Sequence, residues 1–119
     1  MAPSADAARI AALLPLAPRD YLILFALIDG PLHGHGLLKS LEAAENGVPF
    51  DPANLYRSLR KLERDELLVE APSTAEARLG PVRRSYRLTR LGRKVLEAEA
   101  ARLTALADAA RIKKLVPAR

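Results

Sequence analysis

Basic side chains are the groups in this sequence whose types and spacing could do chemistry. The net charge is +5, and residues 51–94 alone hold eleven bases and six acids. Within them, the stretch from Arg78 to Lys94 carries seven bases and no acid. Such a block repels itself and needs either an anionic partner or a solvated loop. Because the block follows a predicted helix with a cationic face, the pattern favours binding to a nucleic acid.

Catalytic and metal-binding patterns are not evident. There is no Cys, and the two histidines, His33 and His35, have no clustered carboxylates to complete a metal site. The sequence shows no nucleophile–base pair, glycine-rich phosphate loop or paired carboxylates in a cleft. We therefore expect neither an enzyme nor a bound cofactor or metal.

Length and hydropathy are typical of one globular domain. A chain of 119 residues, half of them apolar, can bury a modest core and is not expected to be disordered. No apolar run approaches the ~18–20 residues that cross a bilayer, and the first residues lack the basic segment of a secretory signal. We therefore expect a cytoplasmic protein with no membrane partner.

The elements that must position the bases begin with one helix. Asp51 suits an N-cap, and Pro52 suits the first helical position. Leucines then recur at i, i+4 and i+7 on one stripe: Leu55, Leu59 and Leu62. The roughly opposite face carries Ala53, Arg57, Arg60, Lys61 and Arg64. The spacing thus predicts a helix with a core side and a cationic side.

A basic hairpin is predicted directly after this helix. Leu67 to Ala71 is a short apolar run, and Ser85 to Leu88 alternates as a half-buried strand does. Pro72 to Pro81, with two prolines and a glycine, is the predicted tip. A basic helix followed by a basic hairpin is the working part of a winged helix-turn-helix, in which the helix lies in a major groove and the hairpin, the wing, reaches along the backbone.

The remaining segments before the basic helix supply scaffold. Residues 1–16 predict a short helix that is marginal alone, so it either packs on a partner subunit or frays. A second helix runs from Pro18 to about Asp29 and is apolar nearly all round, which indicates burial. A third follows His33–Gly36 and stops at Asn46–Gly47. The predicted fold class is therefore mainly α with a small β-hairpin.

A last helix is predicted from Thr89, its N-cap, to about Leu115. Its residues step by 3, 4, 3 and 4 along a heptad seam, Leu96, Glu99, Leu103, Leu106 and Ala110. The seam is shorter than a free-standing coiled coil needs but long enough to pair with a copy of itself. Glu99 is costly to bury unpaired, so we expect Arg102 or an arginine of the other subunit beside it. We predict a dimer interface made by the seam and Arg102.

These elements suggest three segments. Residues 1–16 form an N-terminal extension or short helix, residues 17–89 form a winged helix-turn-helix DNA-binding domain, and residues 90–119 form a dimerisation helix and tail.

Four stretches together resemble the PadR family of bacterial transcriptional repressors, especially its short members with a single C-terminal helix. They are ALIDGPLHGHGLLKSLE, DPANLYRSLRKLE, RRSYRLT and LGRKVLEAEAARL, all within residues 18–106. The resemblance implies a homodimer that binds double-stranded DNA. Some members of the family release DNA when an aromatic compound binds between the subunits, which implies a small-molecule inducer. With no Trp and five aromatic residues, this sequence does not support an aromatic-sandwich pocket.

A few positions depart from the family pattern. His35 stands where the family commonly has Tyr, and Ala53-Asn54 replaces Gly-Thr. At the helix ends, Glu66 replaces the Gly that ends the recognition helix, and Ala17 replaces a Ser or Thr cap. The end of the recognition helix must therefore be capped in another way. Because His35 and Asn54 sit where DNA would be touched, the operator sequence is not inherited from relatives.

Candidate DNA contacts lie in the first turns of the basic helix, on the wing and at the entry to the third helix. They are His35, Asn54, Tyr56, Arg57, Arg60, Lys61, Arg83 and Arg84. Arg57 is the main candidate for reading a base, and Arg83 and Arg84 fit contacts to phosphates or the minor groove. Asn54 is equally explained as a helix-start residue. The resemblance implies a phosphate contact for Tyr56, whereas periodicity alone places it partly against the second helix.

The function we expect is that of a sequence-specific, double-stranded DNA-binding transcriptional regulator, a repressor that acts as a homodimer. A dimer is required because one recognition helix reads only a half-site. An alternative stays open, because a winged helix can also serve as a protein–protein module whose basic wing docks an acidic partner.

Overall fold

A computed structural model describes residues 5–44, 47–72 and 84–117. Within these ranges the elements follow one another as α1 (Ala5–Leu13), α2 (Pro18–Ala26), β1 (Leu32–His33), α3 (Gly34–Ala43), α4 (Pro52–Arg64), β2 (Leu68–Pro72), β3 (Arg84–Leu88) and α5 (Arg90–Ile112). The fold is mainly helical with a small sheet, as predicted. No helix in the described ranges is long and apolar enough to span a membrane.

The basic helix, α4, forms as its sequence predicts. The Asp51 carboxylate accepts a hydrogen bond from the backbone N–H of Asn54 at 2.9 Å, and the Asn54 side chain accepts one from the Asp51 N–H at 3.1 Å. This reciprocal capping box satisfies two N–H groups at the start of the helix. The leucine stripe is buried, and it packs in one core with side chains from the other elements, including Ile23, Leu24, Leu37, Leu68 and Val95.

The second helix is shorter and less buried than its composition indicates. α2 ends at Ala26 and not near Asp29, because the backbone N–H groups of Leu27 and Ile28 turn back to the carbonyls of Leu24 and Phe25, respectively. Phe25 is 56% exposed, so the prediction that this helix is buried nearly all round is wrong.

The sheet has one more strand than the predicted hairpin. β2 and β3 form the predicted antiparallel pair, and β1 adds to the other edge of β3 in the order β1-β3-β2. Tyr86 in the central strand lies opposite both Leu32 and Glu70. β1 has only two residues, which are too few to show a periodic pattern. It could therefore not be predicted from its own sequence. The predicted wing tip, Pro72 to Pro81, lies outside the described residues except for Pro72.

The N-terminal helix is held by its own chain. α1 packs on α5, which corrects the expectation that it needs a partner subunit or frays. The Arg9 guanidinium donates to the Asp65 carbonyl at 2.7 Å and lies 3.1 Å from the Glu66 carboxylate. Lys94 Nζ lies 3.1 Å from the Asp6 carboxylate. α1 therefore ties the end of α4 to the start of α5.

The end of α4 is capped by the turn that normally uses glycine. Glu66 has a φ of +63°, the Leu67 N–H donates to the Leu62 carbonyl, and the Glu66 N–H donates to the Glu63 carbonyl, both at 3.0 Å. These two bonds define a Schellman motif with Glu in the left-handed position. The expectation of a different kind of cap is therefore wrong, since only the residue type differs.

The last helix has a buried half and an exposed half. Thr89 caps it as predicted, accepting from the Gly92 N–H at 2.9 Å, and the helix ends at Ile112, before the predicted Leu115. Its buried residues, Gly92, Val95, Leu96 and Glu99, all lie in the first ten positions. The half that projects from the core therefore begins after Glu99, whereas the predicted segment boundary is at residue 90.

Two predicted interface residues, Leu96 and Glu99, belong to the intrachain core instead. The Glu99 carboxylate accepts from the Leu16 backbone N–H at 2.8 Å and from Arg102 Nη2 at 2.9 Å. The hydrogen bond from Arg102, helped by the one from Leu16, holds the pKa of Glu99 below its usual value, although burial opposes this. The arginine beside Glu99 is thus the one in its own chain.

Candidate nucleic-acid interface

A cleft of about 670 Å³ opens between the start of α3, the first turns of α4 and the root of the wing. It is lined by His33, Gly34, His35, Tyr56, Arg60, Glu70, Arg84 and Tyr86. The structure thus brings four predicted contact residues to one place: His35, Tyr56, Arg60 and Arg84. A continuous surface of α4 and the wing is the arrangement that a winged helix uses against duplex DNA.

Arg57 is exposed on α4 and accessible to an outside partner. In the ranges that the structure describes, its guanidinium makes no hydrogen bond or ion pair. Arg60, one turn later, has Nε 3.4 Å from the Tyr56 carbonyl, so its stem follows its own helix and its side chain lines the cleft. A guanidinium without a competing intrachain carboxylate can bind a base edge or a phosphate at no cost of breaking a pair.

Tyr56 packs its ring tip on the start of α3. Gly34 is buried there, and a Cβ at this position would lie 2.5 Å from the Tyr56 hydroxyl oxygen. Periodicity alone predicts that the Tyr56 side chain is partly buried against α2. In the structure the side chain is exposed instead. Glycine at position 34 therefore lets the hydroxyl sit over the first residue of α3.

Asn54 is engaged at the helix start. Besides the capping box, its Nδ2 donates to the Asp51 carboxylate at 3.2 Å. Both the donor and the acceptor of the amide are thus used within the chain, and these are the groups that would pair with adenine. This geometry favours the helix-start interpretation of Asn54.

Lys61 is directed toward α2 rather than outward. Its Nζ lies 2.9 Å from the carboxylate of Asp20, which is only 4% exposed. In the described residues it does not pair with Glu63 or Asp65, the two acids nearest to it in sequence. Because a buried carboxylate without a partner is costly, Lys61 compensates the charge of Asp20 and fixes α4 against α2.

The root of the wing holds a charged pair. Arg84 Nε lies 3.2 Å from Glu70 Oε1, across the pairing of β3 with β2, and the Arg84 side chain remains largely exposed. His33 Nδ1 lies 3.4 Å from the Arg84 carbonyl, which joins β1 to the same corner. Arg83, the second predicted wing contact, lies outside the described residues.

Tyr86 is one of four lining residues that the predicted contacts do not include; the others are His33, Gly34 and Glu70. Tyr86 is 6% exposed, and burial raises the pKa of its hydroxyl to about 12, with Glu70 and Tyr56 adding to the effect. The alternation of Ser85 to Leu88 places Tyr86 on an inner face, which is the signal that could have found it. That Tyr86 borders a cleft depends on α3 and α4, which are distant in sequence.

The remaining predicted interface residues lie on the projecting half of α5. Leu103 and Leu106 are exposed, and Ala110 is half-buried. Ile112 and Leu115, at the end of the helix, are also exposed. Leu103, Leu106 and Ala110 follow one stripe of the helix, and the described part of the chain leaves the two leucines exposed.

Comparison with known sequences identifies one family. A model of the transcriptional regulator PadR-like family matches residues 23–98. An uncharacterised 37.1 kDa protein in transposon TN4556 of Streptomyces fradiae is 38% identical over 79 residues, which are 66% of this chain and 21% of that protein. The chain thus spans about a fifth of the length of this curated relative.

Solved structures share the fold. A PadR family transcription regulator from Clostridium difficile matches with a TM-score of 0.71 and 21% identity, over 80% of this chain and 96% of that one. Bacillus subtilis PadR, crystallised in complex with operator DNA, matches with a TM-score of 0.61 and 20% identity, over 71% of this chain and 47% of that one. These likenesses confirm the predicted winged-helix fold.

Proposed function

Because the chain belongs to the transcriptional regulator PadR-like family, we propose that it is a sequence-specific, double-stranded DNA-binding repressor that acts as a homodimer. The observation that carries the proposal is the shared surface of α4 and the wing, where Arg57 is exposed on α4 and where Arg60 and Arg84 line one cleft. Three guanidiniums on this surface suit the phosphates and base edges of a duplex. The operator-bound structure of a relative with the same fold supports duplex DNA as the partner.

In this proposal α4 is the recognition helix. Its leucine stripe is held in the core and its start is fixed by the capping box, so the outer face has a defined orientation. Arg57 reads a base, Arg60 and Tyr56 contact the backbone, and Arg84 contacts it from the wing. Lys61 contributes to the position of the helix rather than to the contact with DNA.

The exposed half of α5 is the proposed dimer handle. Leu103, Leu106 and Ala110 step by 3 and 4 along it, the spacing of two helices that pack lengthwise. A two-fold pair would present two recognition helices to half-sites about one turn of DNA apart. Repression then follows by exclusion of the polymerase from an occupied promoter.

Selection of bound sequences from a random duplex pool, followed by fluorescence anisotropy, tests the proposal. We expect an enriched palindrome with half-sites about one turn, roughly 34–36 Å, apart, bound by two chains. Affinity should fall steeply with salt because neutralised phosphates release counterions.

Two outcomes would contradict parts of the proposal. Absence of binding to any duplex at low salt would refute DNA binding and favour the protein–protein module. A reporter whose promoter overlaps the selected palindrome should lose expression when the protein is made, and a gain would refute the repressor role alone.

A further inference from the structure

The hydroxyl of Tyr86 is a buried polar group without a partner among the residues that the structure describes. The side chain is 94% buried at the inner wall of the cleft, and no described donor or acceptor makes a hydrogen bond with its hydroxyl. An unsatisfied buried hydroxyl destabilises a fold, and buried polar groups in proteins nearly always have partners. A molecule bound in the cleft that Tyr86 lines could supply such a partner.

The surroundings of this hydroxyl favour an anion. α3, a ten-residue helix, begins at the cleft with Gly34, and its N-cap residue His33 makes no side-chain capping bond there. The positive end of the helix and its first N–H groups thus face this region. Arg60 adds a positive charge, and the one acid in the lining, Glu70, is neutralised by Arg84 at 3.2 Å.

The hydroxyl remains neutral and can donate a hydrogen bond. Because burial raises the pKa of Tyr86 to about 12, the phenol keeps its proton at every physiological pH. A protonated phenol donates to an anionic oxygen without repelling it, and it adds no charge of its own.

We propose that the cleft receives a segment of the DNA sugar–phosphate backbone, and that the Tyr86 hydroxyl donates a hydrogen bond to one of its phosphate oxygens. The inference rests on the proposed function and adds a contact residue to it. A cleft of about 670 Å³ is far larger than one phosphate group, which favours a backbone segment over a free ion. It also opens between α4 and the wing, the two elements proposed to contact DNA.

Replacement of Tyr86 by Phe tests the inference, because it deletes the hydroxyl and keeps the packed ring. We expect Tyr86→Phe to weaken binding roughly tenfold for the selected and for a random duplex alike, the typical effect of losing a hydrogen bond to a charged group. The slope of affinity against salt should not change, since a neutral group releases no counterion. The melting temperature should stay the same or rise, because the hydroxyl makes no hydrogen bond with the described part of the chain.

Tyr21→Phe is the matched control. Tyr21 stacks on Phe25 in α2, with ring centroids 6.1 Å apart, and does not line the cleft. This variant should bind DNA as the wild type does. Unchanged affinity of Tyr86→Phe, or a melting temperature that falls, would overturn the inference. If the wild type itself binds no duplex, the proposed function has failed, and the inference with it.

A titration with inorganic phosphate at constant ionic strength distinguishes the source of the anion. We expect no saturable binding of phosphate to the wild-type protein without DNA. Saturable binding that Tyr86→Phe abolishes would make a free anion the occupant and overturn the assignment to the DNA backbone.

Discussion

Arg57 and Lys61 lie one turn apart on α4, yet their surroundings differ. The Arg57 side chain is exposed and makes no described intrachain pair, whereas Lys61 reaches back to a carboxylate that is nearly fully buried. A face that looks uniformly cationic in sequence therefore contains one cation with no described partner and one that pairs with a buried carboxylate.

Arg57→Ala should relax sequence choice. If Arg57 reads a base, the loss at the selected operator should be about 1–3 kcal/mol, with a much smaller loss on random duplex. Competition anisotropy with the two duplexes measures the ratio. Arg64→Ala, an exposed cation at the other end of α4, is the control and should alter that ratio little. Equal losses on both duplexes for Arg57→Ala would refute base reading.

Lys61→Met should act on stability rather than on phosphate contact. It leaves the buried Asp20 carboxylate without its cation, so urea unfolding should show a loss of roughly 1–3 kcal/mol. Adding Asp20→Asn should restore part of this loss, which a double-mutant cycle measures. A variant with full stability and a salt slope reduced by about one would show instead that Lys61 contacts a phosphate.

At the scale of elements, the fit of α5 against the turn after α4 depends on a glycine. A Cβ at Gly92 would lie 1.8 Å from the carbonyl oxygen of Leu67. Thr89 reinforces the same contact, since its N–H donates to that oxygen at 3.2 Å and its hydroxyl donates to the Glu66 carbonyl at 2.6 Å. The start of α5 is therefore seated on the Schellman turn by backbone contact.

Gly92→Ala and Gly36→Ala should change stability in opposite directions. The methyl group of alanine at position 92 would clash with the Leu67 backbone. We therefore expect the free energy of unfolding to fall by several kcal/mol, or the variant not to fold. Position 36, inside α3, has no atom near an added Cβ, so alanine there should stabilise by about 0.5–1 kcal/mol. Thermal unfolding of the two variants checks both signs. Equal effects would contradict the packing described.

Local signals in the sequence predict most of these elements. The Asp51 cap, the leucine stripe and the Thr89 cap depend on residues within one or two turns, and the structure confirms them. The partner of Lys61 lies 41 positions away, and β1 exists only because β3 pairs with it. No spacing rule within one segment can find contacts of that kind.

At the scale of the whole molecule, the chain is more extended than a compact domain of its length. The radius of gyration is 16.4 Å, whereas a compact domain of this length would have about 13.5 Å. Leu106, on the projecting half, is 54% exposed. Apolar residues along a helix that leaves its own core are expected to be covered by another copy.

Leu106→Glu should separate the proposed dimer without unfolding the chain, because the side chain makes little intrachain contact. Sedimentation equilibrium should give a monomer with wild-type circular dichroism, and operator affinity should fall to the level of a half-site. Ala101→Glu, on the opposite face of α5, is the control and should stay dimeric. A wild type that sediments as a monomer would refute the α5 handle.

The contacts of α1 indicate that the stable folding unit extends beyond the residues that match the family. A fragment limited to residues 23–98, the region that matches the family, would lack the contacts that Arg9 and Asp6 of α1 make with the end of α4 and the start of α5. It would also lack the first turn of α2 and the buried Glu99. Helix α4 would then lack the contact of Arg9 at its C-terminal end. When DNA-binding domains are exchanged between regulators of this fold, α1 should therefore be transferred together with α4, the helix that it stabilises.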